Sequence, residues 1–508
     1  MLQGDNAQPS SQRAAAHPGP VSTVVLAAGE GTRMRSATPK VLHRLAGRPL
    51  VEHAVRAAAG ADPDQLVVVL GHGRDEVAEH LSSVSEALGR PITTALQEEQ
   101  LGTGHAVSCG LSELPDGLTG TVLVSYGDVP LLDADTLRAM LAEHTESGNA
   151  VTVLTSVVDD PTGYGRITRD ADGRVTGIVE QKDATPEQAA ITEINSGVYA
   201  FDAEVLTGAL KRLSTDNAQG ELYLTDVLSI ARGDGRDVGT LICSDPWLVE
   251  GVNDRVQLSR LGAELNRRLV THWMREGVTV LDPSSVWLDC DVTLARDVTL
   301  EPGVQLRAGT TVGEGATVGP DTTLTGCTVH PGASVVRTHG EGAEVGPNAS
   351  VGPFAFLRPG TSLGTKGKIG TFVETKNATI GNGTKVPHLS YVGDATIGEQ
   401  SNIGAATVFV NYDGVNKHHT KIGSHSRTGA DNMFVAPVEI GDGAYTAAGS
   451  VITQDVPPGA MAVARGRQRN IDGWVAKRRP GTAADQAAQR AKGNEPTDDA
   501  ETSNGEGR

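Results

Sequence analysis

The sequence predicts an α/β protein: a Rossmann-like domain followed by a left-handed parallel β-helix of hexapeptide repeats. Three observations predict it. Strand-like apolar runs alternate with helical ones over residues 21–252. A glycine-containing, basic stretch, Leu26–Lys40 (LAAGEGTRMRSATPK), directly follows the first of those runs. From about residue 290 a small or β-branched residue recurs every six positions.

The chain reads in five pieces. Residues 1–20 are polar and rich in Pro and Ala, without the apolar centre of a signal peptide, and are expected to be disordered. Residues 21–252 begin with Ser22-Thr23-Val24-Val25, and the runs Leu66–Leu70, Val122–Val124 and Val151–Leu154 repeat that texture. Strands alternating with helices imply a mainly parallel sheet covered on both faces, with ligands at the carboxyl ends of its strands. Residues 253–274 place Leu258, Leu261, Leu265, Leu269 and Trp273 at three- and four-residue steps, the pattern of a linker helix.

Residues 275–465 carry the hexads. One series runs Val292, Val298, Val304, Thr310, Ala316, Thr322, Thr328, Ser334. Two positions later stand Leu294, Leu300, Leu306, Val312, Val318 and Leu324, with His330 interrupting before Val336. Such a period is that of a β-helix, three hexads to a triangular coil. Lys366–Asn377 reads as irregular, and Val408–His419 as a loop projecting from the coil. Residues 466–508 form a tail, expected to be disordered from about 480 because Ala is its only apolar residue there.

Composition narrows the function classes. The 508 residues carry a formal net charge of −19. That argues against a general nucleic-acid or membrane-surface binder, while leaving room for local basic pockets. Cys109, Cys243, Cys290 and Cys327 lie far apart, so neither a disulfide framework nor a zinc site is suggested. No apolar run approaches the roughly 18 residues of a membrane span. A cytoplasmic protein is expected.

The chemistry-bearing residues fall in two groups. In the front half, Gly29 and Gly31 let the backbone curl after a strand and offer N–H groups to a phosphate. Arg33 and Lys40 add positive charge beside it. Asp128, in Tyr126-Gly127-Asp128 after a strand, is placed to hold Mg²⁺, which takes one or two carboxylates plus phosphate oxygens; an ordinary turn aspartate is the plainer alternative. Gln97–His105 combines amides with a Gly-Thr turn suited to a base edge, or is simply a polar loop. Gly163–Arg166, Glu180–Lys182 and Glu193–Gly197 offer polar groups to a sugar.

In the back half, His388 sits where the hexads are disturbed. An imidazole there suits removal of a proton from an amine attacking a thioester, although a lone His is more often a packing residue. Glu374 and Lys376 lie about a coil earlier, and Asn402 within the following coil. Arg358 is suited to a sugar phosphate.

Leu26, Gly29, Gly31, Thr32, Met34, Pro39 and Lys40 match, without departure, the L-x-x-G-x-G-T-x-M-x4-P-K signature, and so this half resembles the sugar-phosphate nucleotidyltransferases. Over nearly all of 21–470 the chain is similar to the bifunctional bacterial N-acetylglucosamine-1-phosphate uridylyltransferase/glucosamine-1-phosphate N-acetyltransferase family. That resemblance implies acetylation of glucosamine-1-phosphate by acetyl-CoA, then transfer of UMP from UTP, to supply peptidoglycan and other cell-envelope precursors. It implies that Arg33 and Lys40 act on the triphosphate. Leu26, Ala27, Ala28, Gly29, Lys40, Gln97, Gly102, Thr103, Gly165, Glu180, Asn195 and Asn253 would hold UTP and the nucleotide sugar. Asp128 and Asn253 would bind one Mg²⁺ per uridylyltransferase site.

For the back half it implies His388 as general base, oriented by Glu374. Arg358, Lys376, Tyr391 and Asn402 would hold glucosamine-1-phosphate. Ala405, Asn411, Tyr412, Ala430, Ala448 and Arg465 would contact acetyl-CoA, with Lys417 in the same site. Two departures stand out: Ala430 replaces a Ser common in the family, which removes a hydroxyl contact to the acetyl group, and Ala406 replaces a more usual Gly. The family also implies a homotrimer built through the β-helix.

Three other readings compete. The β-helix is purely regulatory or oligomerising; the chain is an inactive scaffold, which intact Arg33, Lys40 and Asp128 count against; or His388, His418, His419 and His425 form the metal site of a hydratase.

Overall fold

The computed structural model describes residues 19–493. The predicted disorder of 1–20 falls almost wholly outside them.

The first strand, β1 (Val21–Ala27), is buried along its whole length, as a β-branched run inside a covered parallel sheet should be. A tight hairpin follows, β2 (Arg44–Leu45) and β3 (Arg48–Pro49), then α1 (Leu50–Gly60). Next come β4 (Gln65–Leu70), α2 (Arg74–Leu88), β5 (Thr93–Leu96), α3 (Thr103–Leu111), β6 (Thr121–Tyr126), α4 (Ala134–Ser147) and β7 (Val151–Val157). The remainder is β8 (Gly165–Arg169), β9 (Val175–Val179), α5 (Pro186–Ala189), β10 (Glu193–Asp202), α6 (Ala203–Leu210), α7 (Asp226–Gly233) and β11 (Val238–Cys243).

The sheet order is β11-β7-β10-β6-β1-β4-β5, with β8 and β9 attached beside β10. β1 runs parallel to both β4 and β6, and Leu26 lies between Val69 and Tyr126. The loops after β1 and β6 therefore leave the same end of the sheet. β10 is antiparallel to its neighbours and bulges between Asn195 and Tyr199. Gly197 sits in that bulge at φ 84°, where a Cβ would come within 2.6 Å of the Tyr126 ring.

A long helix, α8 (Arg255–Arg275), starts at Asp254, whose side chain accepts from the Val256 and Gln257 amides. Its apolar stripe is divided between two cores. Leu258, Leu261 and Leu265 pack with the sheet domain, while Leu269, Val270 and Trp273 pack with the β-helix. Asn266, buried, donates from Nδ2 to Val286 O and accepts from Leu288 N. Its amide thus mimics one more strand at the open end of the first coil. The β2–β3 turn docks there too, through a bond from Cys290 N to Ala46 O.

Beyond α8 the chain winds into a parallel β-helix with three faces. One face runs from Thr279–Val280 through Lys368–Thr371 to Lys385–His388. The next carries Ala355–Leu357, the first half of Glu374–Ile380, and Val408–Val410. The third carries Thr361–Leu363, the second half of Glu374–Ile380, and Thr420–Ile422. One continuous apolar core extends from Val270 to Val456. Corner Thr and Ser residues are buried with their hydroxyls on backbone groups, as Thr310 on Arg307 O and Thr384 on Gly398 O.

The sequence reading needs four corrections, three of them in the hexads. Thr299 pairs with Thr317, three hexads on, but Thr311 pairs with Thr328, one residue short. The phase slips near Gly326, so Cys327, Val329, Ala333 and Val335 point inward while Thr328, Ser334 and Val336 do not. Lys366–Asn377 is regular coil, with Ile369, Val373 and Thr375 inward; a Gly and a Val occupy its corner positions and hid the period. Val408–Val410 is a coil strand with Phe409 fully buried, so the projecting loop is only Asn411–His419. Finally, the tail contains α9 (Trp474–Arg478) and then α10 (Ala483–Gly493), the second of which is contrary to the expected disorder from 480; residues 494–508 lie outside the description.

Among the described residues no helix is long and apolar enough to cross a membrane.

Candidate active sites

The first site lies at the carboxyl ends of β1 and β6. Gly31 is left-handed at φ 67°, and a Cβ there would fall 2.4 Å from Lys40 Cβ. Only a glycine lets the Lys40 stem cross the loop. Lys40 Nζ reaches the Asp128 carboxylate and donates to Asn253 Oδ1 at 3.1 Å. Arg33 donates to the same Oδ1 at 2.9 Å. Residues from three distant segments, Arg33 with Lys40, Asp128, and Asn253, thus meet at one point. Val252 N on Asp128 O and Arg255 Nε on Met34 O hold the segments together.

Two cavities open from this point. One, of about 240 Å³, is lined by Leu26, Ala27, Ala28, Gly29, Lys40, Gln97, Gly102 and Thr103. The other, of about 270 Å³, is lined by Gly165, Glu180, Asn195 and Asn253. They share Thr103, Tyr126, Asp128 and Glu221. The two cavities therefore gather the front-half positions expected to hold nucleotide, sugar and metal, with Arg33 bonded to Asn253 beside them.

Gln97 is buried, and its Nε2 donates to Gly102 O at 3.1 Å. Asn195 Nδ2 donates to the Tyr199 hydroxyl, fixing the bulge of β10. Burial pushes the Glu180 carboxyl above its ordinary range, and Asp183 and Asp226 add to the push. Burial likewise raises the Tyr126 hydroxyl, with Asp128 and Glu180 reinforcing it.

Gln100, in the same amide-bearing stretch, donates to Ala28 O at 2.8 Å and so ties that stretch to the loop after β1. The sequence reading missed Glu221 and Tyr223, which only the fold brings to the cavities.

Asp128 and Asn253 offer one carboxylate and one amide oxygen, both already turned to a cation, the Lys40 ammonium. Hard oxygen donors of that number fit Mg²⁺ completed by phosphate oxygens. Among the described residues no group of three His, Cys, Asp or Glu could hold a metal ion, which removes the support for a histidine metal site at His388, His418, His419 and His425.

The second site lies on the β-helix. Glu374 is in register with Phe356 before it and Tyr391 after it, on the outside of one face. Arg358 Nη1 donates to Glu374 Oε1 at 2.9 Å. Among the described residues no hydrogen bond joins Glu374 to His388; its carboxylate is engaged by Arg358 instead. His388 is exposed at the corner just before this face. Gly393 has no side chain, and the Tyr391 hydroxyl lies over it, receiving a 3.3 Å bond from Asn411 Nδ2.

At the far corner, Asp394 accepts from Asn377 Nδ2 at 2.8 Å and from Asn411. Burial works against its charge, but these bonds and the Lys376 and Lys417 ammoniums outweigh it and leave the carboxyl below its ordinary range. The ammonium of Lys417 lowers Lys376 in turn, like charge beside like charge. The loop that carries Lys417 is folded on Asp413, which accepts from the Asn416 and Val415 amides and from His418 Nε2 at 2.7 Å. These bonds hold the Asp413 carboxyl at about 2.

Arg358, Lys376 and Tyr391 are thus brought together, with Asn411 and Lys417 beside them. Asn402 is not: it bridges Lys385 and Arg427 on the neighbouring face. Ala405, Ala430 and Ala448 stack in successive coils at the His388 corner, linked by Asp431 N on Ala405 O and Gly449 N on Ala430 O. Arg465 is exposed just past the strand residues that continue this stack. Asn411 and Tyr412 stand at the opposite end of the Val408–Val410 strand from Ala405. Within one chain they do not join the alanine column.

Two family models match, one described as nucleotidyl transferase over residues 22–259 and one as bacterial transferase hexapeptide (six repeats) over residues 419–454. The chain is 60% identical to the bifunctional protein GlmU of Corynebacterium efficiens, covering 94% of this chain and 98% of that one. It is 62% identical to the proteins of that name from Mycobacterium sp. (strain KMS) and Rhodococcus opacus (strain B4), each over 93% of this chain and 95% of the relative. With both halves matched in order and relatives aligned from end to end, this chain belongs to the bifunctional GlmU family.

Proposed function

We propose a division of labour between the two sites of this bifunctional transferase. The β-helix acetylates glucosamine-1-phosphate with acetyl-CoA. The sheet domain then transfers UMP from UTP to the resulting N-acetylglucosamine-1-phosphate and releases pyrophosphate. The observation that carries the assignment is the meeting of Arg33, Lys40, Asp128 and Asn253 at the junction of the two cavities.

In uridylyl transfer, a phosphate oxygen of the sugar phosphate attacks the α-phosphorus of UTP. A new P–O bond forms, and the bond to the β-phosphate breaks with pyrophosphate as leaving group. The chain's task is to align two anions and neutralise charge. The Gln97 side takes the base, the Glu180–Asn195 side takes the N-acetylated sugar, and Lys40 and Arg33 face the phosphates. Asp128 and Asn253 would hold Mg²⁺, which bound there supplies charge neutralisation at the phosphates.

In acetyl transfer, His388 takes the proton as the sugar amine attacks the thioester carbonyl. An N–C bond forms, the C–S bond breaks, and CoA leaves as its thiol. Arg358, Lys376, Tyr391 and Lys417 take the sugar phosphate, and the Ala405–Ala430–Ala448 column takes the pantetheine. Because in one chain Asn402 stands away from the Arg358–Lys376–Tyr391 group, and Asn411 and Tyr412 stand away from the alanine column, a second copy completes the site. A homotrimer fits this reading. The apolar corner ridge of Phe354, Phe372 and Leu389, each more than half exposed, supplies surface for it. The uridylyl product feeds peptidoglycan and other cell-envelope synthesis in the cytoplasm.

The test is a coupled assay with glucosamine-1-phosphate, acetyl-CoA, UTP and Mg²⁺, read as UDP-N-acetylglucosamine. Arg33→Ala should still acetylate, and His388→Ala should still use N-acetylglucosamine-1-phosphate. Loss of both reactions in either variant refutes the division.

A further inference from the structure

His105, on the first turn of α3, sits against the loop that carries Gln97 and is in neither cavity lining. Its Nδ1 lies 3.0 Å from Glu99 O and 3.3 Å from Gln97 Nε2. Its Nε2 lies 3.7 Å from Cys109 Sγ, one helical turn on.

These contacts select a proton arrangement. Glu99 O can only accept, so it takes a hydrogen bond from Nδ1–H and leaves the Nε2 lone pair facing the Cys109 S–H, which burial keeps protonated. A neutral imidazole that accepts at Nε2 carries its proton on Nδ1. That proton is aimed at Glu99 O, the shorter of the two Nδ1 contacts. The opposite tautomer would set an Nδ1 lone pair against the Glu99 carbonyl.

The amide of Gln97 is constrained from both sides. Its amino group is spent on Gly102 O, and the His105 ring closes the space beside it. Among the described residues Gln97 Oε1 has no hydrogen-bond partner. A carbonyl oxygen held in this way accepts from uracil N3–H but opposes the lone pair on cytosine N3.

We propose that His105 is a positioning residue for base selection: it pins Glu99, abuts the Gln97 amide and keeps Oε1 as the atom that meets the base, so that uracil is favoured over cytosine. The proposal rests on the reading that Gln97 faces the base.

The experiment compares kcat/KM for UTP and CTP, with N-acetylglucosamine-1-phosphate as co-substrate, in the full chain and in His105→Ala, His105→Asn and Gln97→Ala. Acetyl transfer by the same preparations checks folding. For His105→Ala the UTP-to-CTP ratio should fall by about tenfold, the discrimination of roughly one hydrogen bond. The change should appear in KM for the nucleotide, with KM for the sugar phosphate unchanged. His105→Asn places an amide N–H near the Nδ1 position and should recover most of the ratio. An unchanged ratio in His105→Ala alongside a reduced one in Gln97→Ala overturns the proposal. So does a general fall in kcat that Asn does not rescue. An unchanged ratio in Gln97→Ala overturns the parent reading and the proposal with it.

Discussion

Lys376 and Lys417, which lie far apart in the chain, share one corner of the β-helix, and the ammonium of Lys417 holds that of Lys376 below its ordinary pKa. Two like charges are kept together by the Asp413-folded loop on one side and by Asp394 on the other. Such a pair is relieved by a dianion between the two groups.

Lys417→Ala should therefore return the Lys376 ammonium toward its ordinary value, read by NMR of its labelled Nζ. It should raise KM for glucosamine-1-phosphate by about tenfold, the size of one charge-assisted contact. Uridylyl transfer should be unchanged. A Lys376 resonance that titrates as before would show that the pair is not coupled.

Gly31 predicts a separable defect at the other site. Ala at that position must adopt a left-handed φ and place its Cβ 2.4 Å from Lys40 Cβ. The strain itself costs about 1 kcal/mol. Displacing Lys40 from Asp128 matters more: kcat for uridylyl transfer should fall by about 10²-fold or more. Acetyl transfer should persist at its original rate. Normal uridylyl transfer in Gly31→Ala would mean that Lys40 reaches its partners by another path.

Glu180 gives a prediction in pH. Burial raises its folded-state pKa above the ordinary 4.5, with Asp183 and Asp226 adding to the shift. The folded chain therefore binds this proton more tightly than the unfolded chain. Stability from it is complete below pH 4.5 and declines as pH rises through the higher folded value. Glu180→Gln should raise Tm at pH 7 and give no gain at pH 4, while raising KM for the sugar phosphate. An equal Tm change at both pH values would rule out titration as the cause.

The sequence made the two-domain plan legible because both halves use fixed spacings. A β-helix buries a side chain at each hexad, so its period survives in the text. Its slips do not: the five-residue step at Gly326–Cys327 is visible only once Thr311 is paired with Thr328. The Arg358–Glu374 pair is invisible for the same reason, since only coil register sets Phe356 beside Glu374. Motif positions such as Lys40 and Asp128 could be named singly, but their contact depends on β1 and β6 being neighbours. Ala483–Gly493 misled because low hydrophobicity reads as disorder, whereas Ala is the strongest helix former.

Asn266 allows the link between the domains to be tested without touching either site. Its amide completes Val286 O and Leu288 N at the open end of the first coil, both bonds being buried. Asn266→Ala leaves one carbonyl and one N–H without partners. Each costs about 1–3 kcal/mol when no water replaces the amide. Leu269, Val270 and Trp273 on the same helix plug the same apolar end, so fraying there exposes the core beneath. The expected result is a loss of about 2–4 kcal/mol in the transition of the β-helix, measured by denaturant titration with acetyl transfer as the readout. Amide exchange should quicken first at Val286–Leu288 and in α8. Full protection of those amides in the variant would show that the helix caps the coil through its apolar residues alone.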